Sequence, residues 1–246
     1  GEIKDQTEHL AFTLTQFGLV KGDKVAILGP NSPNWVISYF TLLSLGIIAV
    51  PILPDFHAAE IDHIVKHSSV KMMVISRKQL TRLSKETIID IPKIMILDDF
   101  SILPDREKIQ EDSSYIPYDP KGSLDPFNIP VGPGDLATLI YTSGTTGFSK
   151  GVMLSNSNLV ANELQCYAIE PVSTDDVFLS MLPLSHTYEN TLGLLLPMCN
   201  GASITFLKKL PSAAVLMPAL KKIKPTYMLT VPLIMEKIYK SQIKGK

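Results

Sequence analysis

The spacing of apolar positions changes repeatedly along this chain, and each change marks a helix giving way to a strand. Ile3, Leu10, Leu14 and Phe17 share one helical face and Gly18 follows as a C-terminal cap, so a helix is predicted over 1–18. A short apolar strand at 24–28 comes next, then a buried helix over 33–45 that Pro33 opens and Trp35, Tyr39, Leu42 and Leu43 continue. Residues 47–52 are β-branched and strand-like. Ile61, Ile64 and Val65 point one way from a helix over 58–67, and strands follow at 72–75 and 94–97. Strands that are continuous apolar runs, alternating with helices, predict an α/β fold of mostly parallel sheets covered by helices on both faces.

Between Asp112 and Asp135 the pattern stops. Five prolines and three glycines fall there, too many breakers for regular structure, and a long ordered surface loop is expected. That loop divides the chain into a subdomain at 1–111, a connection at 112–135 and a second subdomain at 136–246. The second subdomain reads as strands at 138–141 and 152–154 and then a helix from Ser155 or Ser157 carrying Leu159 or Val160, Leu164 and Tyr167. After these come a strand at 177–181, a helix at 193–199, a strand at 202–206, a helix at 212–223 kinked or restarted by Pro218, a strand at 226–230 and a last helix from Pro232. Met153, Met181, Met198, Met217 and Met228 read as core filler.

Composition narrows the function classes. The chain has 246 residues, 45% of them hydrophobic, and a formal net charge of −1, which fits a globular protein and excludes nucleic-acid binding through a general basic field. Cys166 and Cys199 are the only cysteines and no secretory leader is read, so a reduced, cytoplasmic setting is expected. Residues 36–53 hold no charge, the length of a spanning helix, but Gly46 and Pro51 break the run into a helix and a strand. From Phe206 onward nine lysines face Glu236, a local charge near +8. The favoured reading is a solvated face; the alternative is attraction to the phosphates of a small-molecule substrate or peripheral contact with an anionic membrane.

The chemistry concentrates at 141–154, Tyr-Thr-Ser-Gly-Thr-Thr-Gly-Phe-Ser-Lys-Gly-Val-Met-Leu. Between Ser143 and Gly151 only Phe148 is large and apolar; the rest are Gly, Ser and Thr with Lys150. Such a stretch builds no core. It offers uncovered backbone N–H groups, hydroxyls and one ammonium, all suited to a polyanion, and Gly144, Gly147 and Gly151 are free to take positive φ in an anion nest. A Walker loop is excluded: counted from Gly144, its second glycine position is Ser149 and its Ser/Thr position is Gly151.

This stretch resembles the signature of the adenylate-forming, AMP-binding enzyme superfamily, Tyr-Thr-Ser-Gly-Thr-Thr-Gly-x-Pro-Lys-Gly-Val, with Ser149 in place of the usual proline. Residues 22–51 resemble the superfamily's first region more loosely. Leu182-Pro-Leu-Ser-His-Thr-Tyr-Glu189 resembles its Pro-Leu-x-His segment, in the form of the long-chain fatty acyl-CoA synthetase branch, and 231–239 resembles that branch's Val-Pro-Arg-x-x-Glu-Lys-Ile run, with Leu233 where arginine is usual.

The resemblance implies a ligase that joins a fatty acid to ATP, releases pyrophosphate and passes the acyl group to CoA. It implies that Thr142, Ser143, Gly144, Thr145, Thr146, Gly147 and Lys150 hold the nucleotide, that Thr142, ahead of Thr145 or Thr146, reaches Mg²⁺, and that Lys150 and His186 act catalytically, His186 by orienting the carboxylate or lining the entrance of the acyl channel. Tyr188 and Glu189 also read as ordinary helix-start residues, where the helix dipole favours a carboxylate. The superfamily's later motifs are not found. The expectation is therefore an incomplete N-terminal adenylation domain, without its C-terminal part and lid domain and inactive alone. A luciferase-like enzyme, a peptide-synthetase domain and a non-catalytic nucleotide-binding module stay open, as do chain length and oligomeric state.

Overall fold

The computed structural model describes residues 1–104, 115–142, 149–207 and 212–242. It has two compact units, Gly1–Asn158 and Leu159–Lys246.

The first unit opens with α1 (Glu2–Gln16), which ends where Gly18 takes φ +75°. There the Leu19 N–H donates to Leu14 O and the Gly18 N–H to Thr15 O, the paired bonds of a Schellman turn. After β1 (Lys24–Leu28), α2 (Pro33–Ser44) starts with Ser32 Oγ accepting from Trp35 N–H and Pro33 in the first turn. Gly46, at φ +65°, closes it by the same paired bonds. Then come β2 (Ile48–Ile52), α3 (Ala58–Ser68), β3 (Met72–Ile75), the short α4 (Arg77–Leu80) and α5 (Lys85–Asp90), β4 (Ile94–Ile96) and β5 (Ile102–Leu103). The hairpin of β6 (Leu136–Thr142) and β7 (Lys150–Ser155) completes the set.

These strands form one sheet in the order β5-β4-β3-β1-β2-β6-β7. The interior pairs, β1 with β2 and β3, β3 with β4 and β2 with β6, are parallel; the two edge pairs are antiparallel. The expected mostly parallel α/β fold is thus the one observed. Val25, Ala26, Ile27 and Leu28 on β1 are fully buried, as strands covered on both faces require. The uncharged run 36–53 is helix then strand, and among the described residues no helix is long and apolar enough to cross a membrane.

The described part of the connection, 115–135, is ordered by α1 and its neighbours. Leu124 N–H donates to Glu8 O, His9 Nδ1 lies 2.8 Å from Gly122 O, and Lys21 Nζ donates to Pro130 O. The division into units does not fall at this connection, because β6 and β7 join the first sheet; it falls between Asn158 and Leu159, near the start of α6 (Asn156–Ile169).

The second unit has a three-stranded parallel sheet, β10 (Tyr227–Met228), β8 (Val177–Ser180) and β9 (Ser203–Phe206) in that order. A π-helix at Glu189–Leu195 runs into α7 (Leu196–Cys199), so helix begins before the expected 193. Phe178 stacks on Tyr227 at 4.8 Å, with Val172, Leu196 and Ala202 buried beside them. The helices α8 (Ala213–Ile223), which runs through Pro218, and α9 (Pro232–Gln242) follow. In α6 the buried face is Leu159 and Glu163, while Val160, Leu164 and Tyr167 are exposed. Met153 is also exposed, because β7 is an edge strand, and so is not core filler.

The central strand sets a stability test. Ile27→Ala removes a fully buried side chain from β1 and is expected to cost about 2–5 kcal/mol in urea unfolding. Ile3→Ala, exposed in the first turn of α1, should fall within about 0.5 kcal/mol of wild type.

Candidate functional site

The signature stretch folds as the β6–β7 hairpin. Its stem is in register, with Ile140 opposite Val152, Tyr141 opposite Gly151 and Thr142 opposite Lys150. Side chains alternate across a sheet, so Thr142 and Lys150 stand on one face at the mouth of the hairpin, and both are exposed. A hydroxyl and an ammonium are thereby set side by side where the strands separate. The expected phosphate ligands Ser143, Gly144, Thr145, Thr146 and Gly147 lie outside the described residues.

Tyr141 and Gly151 occupy the opposite face and explain how the stem is held. Tyr141 is 3% exposed, and burial pushes its phenol up from the ordinary value. Its Oη lies 2.6 Å from His67 Nδ1, near the end of α3, with the two rings edge to face at 5.7 Å. A Cβ added at Gly151 would sit 2.9 Å from Leu139 Cδ1 and 3.3 Å from Tyr141 Cζ. Gly151 has no positive φ, contrary to the sequence-based reading. It is glycine because the ring and the leucine fill the space a side chain would take. On the sheet side, Thr138 Oγ1 donates to Ala49 O at 3.0 Å and ties β6 to β2.

His186 belongs to the second unit, on the segment that joins β8 to the π-helix. Its N–H donates to Pro183 O, its carbonyl accepts from Asn190 N–H, and Asn190 Nδ2 donates to Leu184 O. The imidazole is exposed, and its Nδ1 accepts from Tyr188 N–H at 3.2 Å. A backbone N–H can only donate, so Nδ1 is the bare nitrogen and neutral His186 carries its proton on Nε2. An exposed Nε2–H donor is the form that meets an anionic oxygen.

Glu189 departs from its reading as an open helix-start carboxylate. It is 1% exposed and receives a 2.6 Å hydrogen bond from Ser180 Oγ. Burial pushes its carboxyl up to about 7 against the opposing bonds from Ser180 and Met181 N–H. Gly193 makes room for it: a Cβ there would meet Glu189 Cδ at 2.7 Å. The signals missed in the sequence were an acid four residues ahead of a glycine, and the pairing of Tyr141 with a histidine 74 positions away. Leu233 stays exposed on α9, and Cys166 and Cys199 are free thiols. Among the described residues no cluster of three or more His, Cys, Asp and Glu is placed to hold a metal.

A family model, AMP-binding enzyme, matches residues 1–246. The chain belongs to the AMP-binding enzyme family. Within that family its curated relatives include Long chain acyl-CoA synthetase 3 of Arabidopsis thaliana, 27% identical over 97% of this chain and 37% of the relative. Long-chain-fatty-acid–CoA ligase ACSBG2 of Rattus norvegicus is 29% identical over 95% of this chain and 37% of its own length. The chain thus spans well under half the length of the curated AMP-binding relatives it matches. Among solved structures, a long-chain-fatty-acid-CoA ligase from Archaeoglobus fulgidus aligns with TM-score 0.79 at 24% identity, covering 98% of this chain and 46% of that one. O-succinylbenzoate CoA synthetase from Bacillus subtilis with AMP (TM-score 0.76, 20% identity, 98% and 57% covered) and ATP-bound MatB from Rhodopseudomonas palustris (0.77, 22%, 98% and 45%) share the fold.

Two outcomes follow from this packing. Gly151→Ala should displace Leu139 and Tyr141 and lower stability by about 1–3 kcal/mol in urea unfolding. Glu189 has its pKa raised from 4.5 to about 7, so it favours the fold while protonated, and that contribution is lost as pH rises from 4.5 through about 7. Relative to Glu189→Gln, wild type should lose roughly 3 kcal/mol across that window. Parallel unfolding curves of the two proteins against pH check it.

Proposed function

We propose that this chain is the N-terminal portion of an ATP-dependent ligase that activates a fatty acid as acyl-AMP and transfers the acyl group to CoA. In the first step a carboxylate oxygen of the acid forms a bond to the α-phosphorus of ATP as the α–β bridge breaks, and pyrophosphate leaves with its charge. In the second, the CoA sulfur attacks the acyl carbon and AMP departs. Neither step takes a nucleophile from the protein.

The observation that carries the reading is the pairing of Thr142 with Lys150 across the hairpin mouth. Lys150 places a positive charge where the β- and γ-phosphates enter the loop, and it meets charge that grows as pyrophosphate departs. Residues Ser143 to Gly147 are assigned to wrap those phosphates. The Thr142 hydroxyl is a neutral oxygen donor at the same mouth, a ligand type Mg²⁺ accepts alongside phosphate oxygens, and the ion when bound would neutralise part of their charge. His186, with Nε2–H outward, is assigned to orient the carboxylate of the acid.

A fatty acid is favoured as substrate because the curated relatives named long-chain acyl-CoA synthetases align over nearly the whole chain. The alternative is a different carboxylate, since synthetases named for o-succinylbenzoate share the fold. Of the nine lysines after Phe206, Lys208, Lys209, Lys244 and Lys246 lie outside the described residues, and no membrane contact is assigned to the stretch.

Substrate-dependent ATP–pyrophosphate exchange by the full gene product, with long-chain fatty acids, o-succinylbenzoate and amino acids offered separately, tests the assignment. Fatty acids should support exchange, Lys150→Ala should slow it about 100-fold, and His186→Ala should raise KM for the acid with KM for ATP unchanged. Exchange supported only by another acid overturns the substrate; an unchanged rate in Lys150→Ala overturns the hairpin's role.

A further inference from the structure

The segment that carries His186 is a closed ring of contacts. At one end is Ser180, the last residue of β8; at the other is Glu189, the first residue of the π-helix; the 2.6 Å bond from Ser180 Oγ to Glu189 Oε1 joins them across nine positions. Met181 N–H also donates to the Glu189 carboxyl. Between these ends Leu184 and Ser185 are buried, 1% and 3% exposed, whereas His186, Thr187 and Tyr188 face solvent. The backbone bonds of His186 to Pro183 and Asn190, with the Asn190 side chain on Leu184 O, fill the interior of the ring.

An acidic side chain is an expensive way to close such a ring. Glu189 is 1% exposed, and among the described residues no charged side chain contributes to holding its carboxyl. Its Oε2 finds no hydrogen-bond partner among the described residues, and neither does Ser185 Oγ in the same segment. An apolar residue of similar volume would avoid that desolvation but could not accept from Ser180 and Met181. The π-turn adds a second mark. Its hydrogen bonds span one residue more than those of an α-helix and it is frequent at functional sites, and here the side chain is missing at Gly193, one turn on, which leaves space for the carboxyl.

We propose that Glu189 is a positioning residue for His186: by fastening the π-helix to the end of β8 it fixes the turn in which Tyr188 N–H caps His186 Nδ1, and so holds the imidazole as the Nε2–H tautomer facing outward. The capping donor lies one residue before Glu189, so a shift of the carboxyl anchor moves that N–H directly. The same Nε2–H is the donor that the proposed function assigns to the substrate carboxylate, and in that sense the inference rests on that reading. Its readout does not, because a ring tautomer is measured without any substrate.

The test is nitrogen NMR of this chain with labelled histidine, at a pH where the imidazoles are neutral. Wild-type His186 should show Nδ1 as the bare, pyridine-type nitrogen and Nε2 as the protonated, pyrrole-type one. Glu189→Ala should mix the two tautomers at His186 while His9, His57, His63 and His67, all in the first unit, keep their wild-type shifts. Glu189→Gln, which keeps an oxygen acceptor for Ser180, should restore the single tautomer. Should Glu189→Ala not fold, Ser180→Ala removes only the anchoring donor and is expected to mix the tautomers in its place. Unchanged His186 shifts in the folded variant would overturn the proposal and leave Glu189 as a core residue alone. Failure of exchange activity in the ligase assay, with the tautomer result as expected, would instead count against the ligase reading.

Discussion

The parallel pairing of β1 with β2 and β3, inside a largely apolar interior, is the constraint on which the first unit depends. Backbone N–H and C=O groups lose several kcal/mol when buried without partners, so strands covered on both faces must pair along their length and must exclude charge. Val25 to Leu28 and Ile48 to Ile52 obey both conditions. The consequence reaches the chemistry. Groups that need water, ions or a ligand are pushed to strand ends and to the sheet edge, which is where Thr142 and Lys150 are found.

At that edge the packing is asymmetric. One face of the hairpin stem is fixed by Tyr141 against Leu139, Gly151 and His67; the other presents the hydroxyl and the ammonium. A rigid back and a polar front let a short loop be held at its base without any large side chain of its own. The glycine that looked like a source of backbone freedom in the motif serves here as a cavity for a ring, so the same letter in the sequence carries a packing role.

Much of this was legible beforehand, for physical reasons that differ by element. The strands of the first sheet announce themselves because burial on both faces demands unbroken apolar runs, and Gly18 and Gly46 stop their helices by the φ that only glycine takes easily. The hairpin was readable from a run of small polar residues between two short apolar ones. Less legible was α6, whose apolar residues are spread around its circumference: of the pair Leu159 or Val160 only Leu159 is buried, Leu164 and Tyr167 lie exposed, and the inward face includes Glu163, which accepts from Asn200 Nδ2. The subdomain boundary was also displaced, because a Pro- and Gly-rich stretch signals only the absence of regular structure. It does not say which sheet the next strand will join, and β6 joined the one already built.

Glu189 shows the limit most clearly. In sequence an acid at a helix start is ordinary, since the dipole favours it and water solvates it. What separates this one is tertiary: the last residue of β8 and the one after it supply two donors, and the π-turn brings Gly193 beneath the carboxyl, so the group is drawn inside and its proton held to about pH 7. A solvated carboxylate would leave His186 on a loop free to turn. A buried one, anchored to a strand, transmits the rigidity of the sheet to an imidazole that itself faces solvent. On the proposed reading, the position of an exposed imidazole is thus set by a residue that no ligand need touch.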